Sequence, residues 1–163
     1  MPVTSRVWDT SVIIDYLEGT ERAREHVPFI ISEVERGETR ILVSAYAEVE
    51  VVRLDSALTD TEEDMIREFF RRSYVYRCQL DSRTAEIARH IARLSSRDDK
   101  VRTVKPKDAV HVATAIRWNI PIFEAFDDDL MDGVKAAPHI LPGALTLRRP
   151  QFEGQVRADD LLK

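Results

Sequence analysis

Apolar residues follow two spacings along this chain, and each switch between them marks an element boundary. Val7 and Trp8 form a short apolar run that ends on Asp9, after which "TSVIIDYL" continues at helical spacing to a break at Gly19-Thr20. "ERAREHVPFIISEVERG" reads as a second helical segment, interrupted by Pro28 and closed by Gly37, and "TRILVS" as a buried strand. Ser44 is positioned as the N-cap of a helix through "AYAEVEVVRLDSAL", in which Ala47, Val51, Leu54 and Leu58 recur at helical intervals. "TDTEEDMIREFFRRS" places acids in its first turn and arginines in its last, as the helix dipole favours. "YVYRCQL" alternates like a strand, and "SRTAEIARHIARL" gathers Ile87, Ala88, Ile91 and Leu94 on one helical face. "SSRDDKVRTVKP" has no period and reads as a loop. The helix "KDAVHVATAIRWN", the strand "IPIFEAF", the acid-led helix "DDDLMDGVKAA" and an edge strand in "HILPGALTL" complete the folded part. The expected organisation is one domain over residues 1–147 and a polar tail over 148–163, with no internal repeat.

Strands that alternate with helices predict an α/β fold with a mainly parallel central sheet and helices on both faces. Ligands of such sheets bind beyond the carboxyl ends of the strands. Asp9, at the end of the first strand, therefore belongs to the mouth of a site and not to the core.

Composition narrows the class. With 163 residues, 44% hydrophobic and 33% charged, the chain suits one soluble folded unit, and no run reaches the length of a membrane span. The N-terminal "MPVTSRVWD" lacks the apolar region of a secretory signal, so a cytoplasmic protein is expected. The single cysteine, Cys78, reads as a buried thiol packed as a small hydrophobe. A formal charge of −5 counts at first against a nucleic-acid partner. Acids gathered in one site to hold divalent cations would remove most of that objection.

Four acids suit that purpose. Asp9 ends the first strand, Glu48 lies near the start of the helix after "ILVS", Asp108 starts the helix "KDAVHVATAI", and Asp127 follows the strand "IPIFEAF". Alone, each has an ordinary structural explanation as a cap, a dipole-matched acid or a solvated helix residue. Together they fall at one edge of the predicted sheet, where their charges would repel and raise one another's pKa unless cations relieved them. Carboxylates without a His/Cys ligand pattern favour Mg²⁺ or Mn²⁺, and the chemistry such ions support is phosphodiester hydrolysis. Glu48 is preferred to Glu50 because it neighbours the apolar stripe, and Asp127 to Asp128, with Asp129 as an auxiliary ligand. Thr10 and Ser11 are expected to cap the first helix and support Asp9. His111, three residues beyond Asp108, is expected to be a packed or capping histidine on the same helical face.

"VWDTSVIIDYL", "ILVSAYAEVEVV", "KPKDAVHVATAI" and "IPIFEAFDDDL", in this order, resemble the acidic motifs of the PIN-domain ribonucleases, and most closely the VapC-type toxins of toxin–antitoxin pairs, over about residues 5 to 131. The resemblance implies a three-layer α/β/α sandwich, a Mg²⁺ or Mn²⁺ site, and endonucleolytic cleavage of RNA. It also implies a homodimer and a cognate antitoxin that inserts a peptide into the groove. In it Asp9, Glu48, Asp108 and Asp127 match the metal-binding acids, and Thr10 or Ser11 the polar residue beside the first. Ala125 departs from the threonine the family often has there, and the chain is longer than a minimal toxin in the 95–107 loop and the tail. Phosphate contacts are expected first from Arg102, Lys105 and Lys107, which adjoin Asp108, with Arg71, Arg72, Arg148 and Arg149 as further candidates. A haloacid-dehalogenase-like phosphatase needs a second aspartate where this chain has Ser11. The remaining alternative is a PIN-fold module that binds RNA or protein without cutting.

Overall fold

Strands follow the predicted apolar runs and helices the amphipathic ones in a computed structural model that describes residues 3–52, 60–95, 103–135, 143 and 145–153. Strand β1 spans Thr4–Trp8, β2 Thr39–Ser44, β3 Val75–Cys78, β4 Ile122–Glu124 and β5 Thr146–Arg148. The helices are α1 Thr10–Glu18, α2 Glu21–Arg24, α3 Val27–Glu35, α4 Ala47–Glu50, α5 Asp60–Arg71, α6 Ser82–Ser95, α7 Pro106–Arg117 and α8 Asp128–Lys135. Gly19, at φ 64°, closes α1 in the left-handed conformation that a Cβ disfavours.

The strands form one sheet in the order β3-β2-β1-β4-β5, and every pairing is parallel. The expected mainly parallel sheet is thus wholly parallel among the described residues. Successive β1 residues serve opposite faces. Trp8 packs with Val12, Ile13, Ile30, Val43 and Phe69 on the side of α1, α3 and α5, whereas Val7 packs with Ile91, Val112, Phe123 and Leu130 on the side of α6, α7 and α8. Burial on both faces accounts for the continuous apolar runs. From β1 the chain builds outward through β2 and β3, then returns to add β4 and β5 on the other side. The order reverses between β1 and β4, the switch point where sheets of this kind form their ligand crevice, beyond the carboxyl ends of the strands.

Three expectations change. The helix predicted from Ser44 is a single turn at Ala47–Glu50, and Val51 leaves it at ψ 70°. Ser44 is the last residue of β2 and its Oγ accepts from the Tyr46 N–H at 3.2 Å, while Val49, Val51 and Val52 put β-branched side chains where a longer helix would need straight ones. Leu54 and Leu58 lie outside the described residues. The predicted boundary after residue 147 falls inside β5, and residues 148–153 bind to the sandwich: Arg6 donates to the Gln151 carbonyl at 3.3 Å and Phe29 meets Phe152 with ring centroids 5.4 Å apart.

Across the sheet, a buried charge network ties β1 to β4 and β5. Glu124, with no exposed surface, accepts from Arg6 at 3.0 Å, from the Trp8 indole at 2.9 Å and from Arg148 at 3.2 Å. Those bonds hold the two strands that flank the crevice.

Candidate active site

Asp9 leaves β1 in extended conformation and caps α1: its Oδ2 accepts from the Ser11 N–H at 2.9 Å and from the Ser11 hydroxyl at 2.6 Å. The same hydroxyl accepts from the Phe126 N–H at 3.0 Å. Ser11 thereby links the corner after β1 to the corner after β4, the place where Ala125 has no hydroxyl to offer. Asp127 caps α8 by accepting from the Leu130 N–H at 3.0 Å. Lys105 and Pro106 open α7, proline fitting a position with no helical partner for an N–H, and this sets Asp108 in the first turn, 8% exposed.

Of the two glutamates after the second strand, the structure brings Glu50, and not the expected Glu48, to Thr10, His111 and Lys107. Glu48 is exposed and pairs with Arg77 at 2.9 Å, outside the crevice. Glu50 points inward, where its Oε2 accepts from the Thr10 hydroxyl at 2.8 Å and lies 2.5 Å from His111 Nε2. At the helical turn of 3.6 residues the two glutamates stand about 80° to either side of the Ala47–Val51 stripe, so spacing alone could not separate them. What separates them is α7, which brings His111 and Lys107 to one side. Thr10 also meets His111 Nε2 at 3.2 Å. Its expected support of Asp9 falls to Ser11, and Thr10 serves Glu50 instead.

The electrostatics tie these groups into one site. Burial raises the Asp108 pKa, Lys107 opposes the rise, and the charges of Asp9, Asp127 and Glu50 add to it. Four carboxylates from four segments therefore act on one another. Burial would also raise Glu50, but hydrogen bonds from His111 and Thr10, with the charges of His111 and Lys107, hold it down at about 2. Burial works to lower the His111 pKa, yet its bond to Glu50 and the nearby acids prevail and raise it. His111 is fully buried, and among the described residues its Nδ1 has no hydrogen-bond partner. His111 is packed, as its position after Asp108 suggests, and it approaches the site as a hydrogen-bond partner, of Glu50.

Of the expected phosphate contacts, Lys107 turns into the acids, 3.3 Å from Glu50 Oε1 and 3.6 Å from Asp108 Oδ1. Lys105 is exposed, and Arg102 lies outside the described residues. Arg72 is held by Tyr16 at 3.1 Å and Tyr74 at 2.5 Å, Arg148 by Glu124 and Glu153, and Arg149 by Asp128 at 2.8 Å. Arg71 is exposed at the end of α5, Asp128 is ion-paired with Arg149, and Asp129 is exposed in the first turn of α8. Cys78 is buried and its thiol is pushed up to about 11 by that burial, as a packed and unreactive residue requires.

Hard oxygen donors and a mutually raised acid suit a Mg²⁺ or Mn²⁺ ion chemically. Asp9 and Asp127 each commit one carboxylate oxygen to a helix cap and keep the other for a ligand. Among the described residues, however, no three acid, histidine or cysteine side chains form a ready-made cage, and the Lys107 ammonium sits between Glu50 and Asp108. An ion would have to displace that ammonium.

A doubly wound parallel sandwich with buried acids at its switch point is the class that this fold and site define. The chain belongs to the PIN domain family, whose family model matches residues 6–135. Among solved structures it is similar to VapBC2 from Rickettsia felis bound to a DNA fragment from its promoter, at TM-score 0.61 and 10% identity over 90% of this chain and 98% of that one. It is also similar to Mycobacterium tuberculosis VapC20, a sarcin–ricin loop cleaving toxin, at TM-score 0.59 and 17% identity over 77% and 92%. FitAB bound to an IR36 DNA fragment aligns at TM-score 0.57 and 15% identity over 93% and 99%. At these identities the likeness is one of fold. No curated protein matches the chain.

Proposed function

We propose that this chain is a divalent-cation-dependent endoribonuclease that hydrolyses RNA phosphodiester bonds, and that it is the toxin of a type II toxin–antitoxin pair, acting in the cytoplasm as a homodimer and restrained by an antitoxin. One observation carries the catalytic half of this reading: the Asp108 carboxyl, raised by its burial and further by the charges of Asp9, Asp127 and Glu50, sits in a cluster of acids whose excess charge a cation relieves. The toxin half rests on the PIN family match and on the similarity to VapBC2, VapC20 and FitAB.

When bound, Mg²⁺ or Mn²⁺ supplies neutralisation of the phosphodiester, a lowered pKa for attacking water and stabilisation of the departing oxygen. Asp9, Glu50, Asp108 and Asp127 would hold the ion, with Asp129 as an auxiliary ligand at the rim. Ser11 fixes the Asp9 carboxylate and the corner that carries Asp127. Thr10 and His111 fix the Glu50 carboxylate and keep it ionised. Lys107, once released from Glu50 and Asp108, stands beside the acids as a cation for a substrate phosphate.

The test is cleavage of single-stranded RNA with Mn²⁺. The expected result is cutting that falls by about tenfold or more on adding EDTA, and likewise in Asp108→Asn. Cutting that survives both changes rules the reading out. A second reading, an RNA- or protein-binding PIN module without cleavage, is favoured by the Lys107 ammonium among the acids and by the absence of a ready-made cage among the described residues. It predicts RNA binding and no metal-dependent cutting.

Lys107 also gives a direct prediction. In Lys107→Met, Mn²⁺ should bind about tenfold tighter by titration calorimetry, because a unit charge a few ångström away in a partly screened site is worth on the order of 1 kcal/mol. Unchanged or weaker binding would mean that the ammonium and the ion do not compete.

A further inference from the structure

Among the described residues, the face of the sheet beside α7 is not closed at its β3 edge. Residues paired across parallel strands share a face, so Ser5 with Arg40 and Leu42 with Tyr76 look toward the α7 layer, as does Cys78, paired with Ser44. Helix α7 packs on β1 and β2. Past it lies a groove of about 510 Å³ whose lining includes Arg40, Tyr76, Arg77, Cys78, Gln79 and Trp118. Its two large aromatics are unusually open for a folded chain, Tyr76 at 48% and Trp118 at 45% exposure.

Each of these rings has an arginine against it. The Arg40 guanidinium lies 5.9 Å from the Tyr76 ring and Arg117 5.5 Å from Trp118. Arg77 and Arg117 have carboxylate partners in Glu48 and Asp81. Among the described residues Arg40 meets Tyr76 and no carboxylate, so its charge is left for an anion from outside. Exposed aromatic rings beside cationic groups in an open groove are the combination that receives single-stranded nucleic acid, bases on the rings and phosphates on the cations. An apolar partner would use the rings but would leave the Arg40 charge unmatched.

The groove is also in the right place. Helix α7 runs from Asp108 at the acid site down to Trp118, a length of about 15 Å at 1.5 Å per residue. The top of the groove, at Cys78 and Gln79, lies two strands from the end of β1, roughly 10 Å at the spacing of neighbouring strands.

We propose that this groove is a second binding site for the substrate, in which Tyr76 and Trp118 stack bases of single-stranded RNA on one side of the cut and Arg40 contacts its backbone. This rests on the RNA-cleaving reading above. The test is fluorescence anisotropy with a labelled single-stranded RNA of about a dozen nucleotides in EDTA, which separates binding from cutting. Tyr76→Ala and Trp118→Ala should each weaken binding by about tenfold, Trp118→Phe should retain most of it, and Arg40→Gln should weaken it and reduce the salt dependence by about one ion. Melting temperatures near wild type are expected, since both rings are exposed.

RNA affinity unchanged in the folded alanine variants overturns the proposal and leaves the cleavage reading standing if Mn²⁺-dependent cutting persists. Variants that lose self-association but keep their RNA affinity also overturn it, because the groove is then an interface between copies. Failure of the wild type to bind and to cut removes both readings together.

Discussion

Glu50→Gln should lower the rate of RNA cleavage by about two to three orders of magnitude, whereas Glu48→Gln should leave it within a few-fold. The two residues are neighbours on one helical turn and differ in what surrounds them. Glu50 is bound by Thr10, His111 and Lys107 and acts electrostatically on Asp108; Glu48 is exposed and paired with Arg77. Glutamine keeps an oxygen that accepts from Thr10 and His111, so the fold is preserved, but it removes the charge that helps to hold a divalent ion. Loss of one charged ligand costs several kcal/mol of transition-state stabilisation, and each 1.4 kcal/mol is about tenfold in rate. Single-turnover cleavage at saturating Mn²⁺, beside the melting temperature of each variant, makes the comparison. Equal losses in the two variants, or a loss in Glu48→Gln alone, would return the role to the residue that sequence spacing first favoured.

That reversal shows where sequence carries the site and where it does not. Asp9, Asp108 and Asp127 stand at junctions between a strand or loop and a helix, and a junction needs only local pattern to be found. The parallel layering is legible for the same reason, since continuous apolar runs imply strands covered on both faces. Glu48 and Glu50 lie inside one helical turn at equal angles from its apolar stripe, and the choice depends on a helix nearly 60 positions further on. Ser11 is readable as a helix cap, but its hydrogen bond to Phe126 exists only because β4 lies beside β1 in the sheet. The tail reads as solvated because "RRPQFEG" has charge and no period, although Arg148 and Arg149 answer carboxylates already present at Glu124 and Asp128. There was a signal for this. A glutamate inside the strand "IPIFEAF" needs cationic or donor partners if it is buried, and three donors meet it.

Removing that glutamate should have the largest effect on stability. Glu124→Ala is expected to destabilise the protein by about 3 to 5 kcal/mol, because it leaves the 3%-exposed Arg6 and the mostly buried Arg148 without the carboxylate that faces both, and the Trp8 indole without an acceptor. Arg6 keeps only a weaker contact to Glu33 at 3.8 Å and the Gln151 carbonyl, and Arg148 keeps Glu153 at the surface. Against a total stability of about 5 to 15 kcal/mol for a domain of this kind, such a loss is a large fraction. Glu124→Gln should cost less, since its amide oxygen still accepts one of these bonds. Urea unfolding of both variants measures the difference. The site should follow the fold, because the Glu124 backbone carbonyl accepts from the Asp9 N–H at 2.9 Å, and the strand it ends leads into the corner that holds Asp127. If Glu124→Ala unfolds within about 1 kcal/mol of wild type, the network is peripheral to stability, and the spacing of β1 and β4 that brings Asp9 to Asp127 must rest on apolar packing by Val7, Trp8 and Phe123 alone.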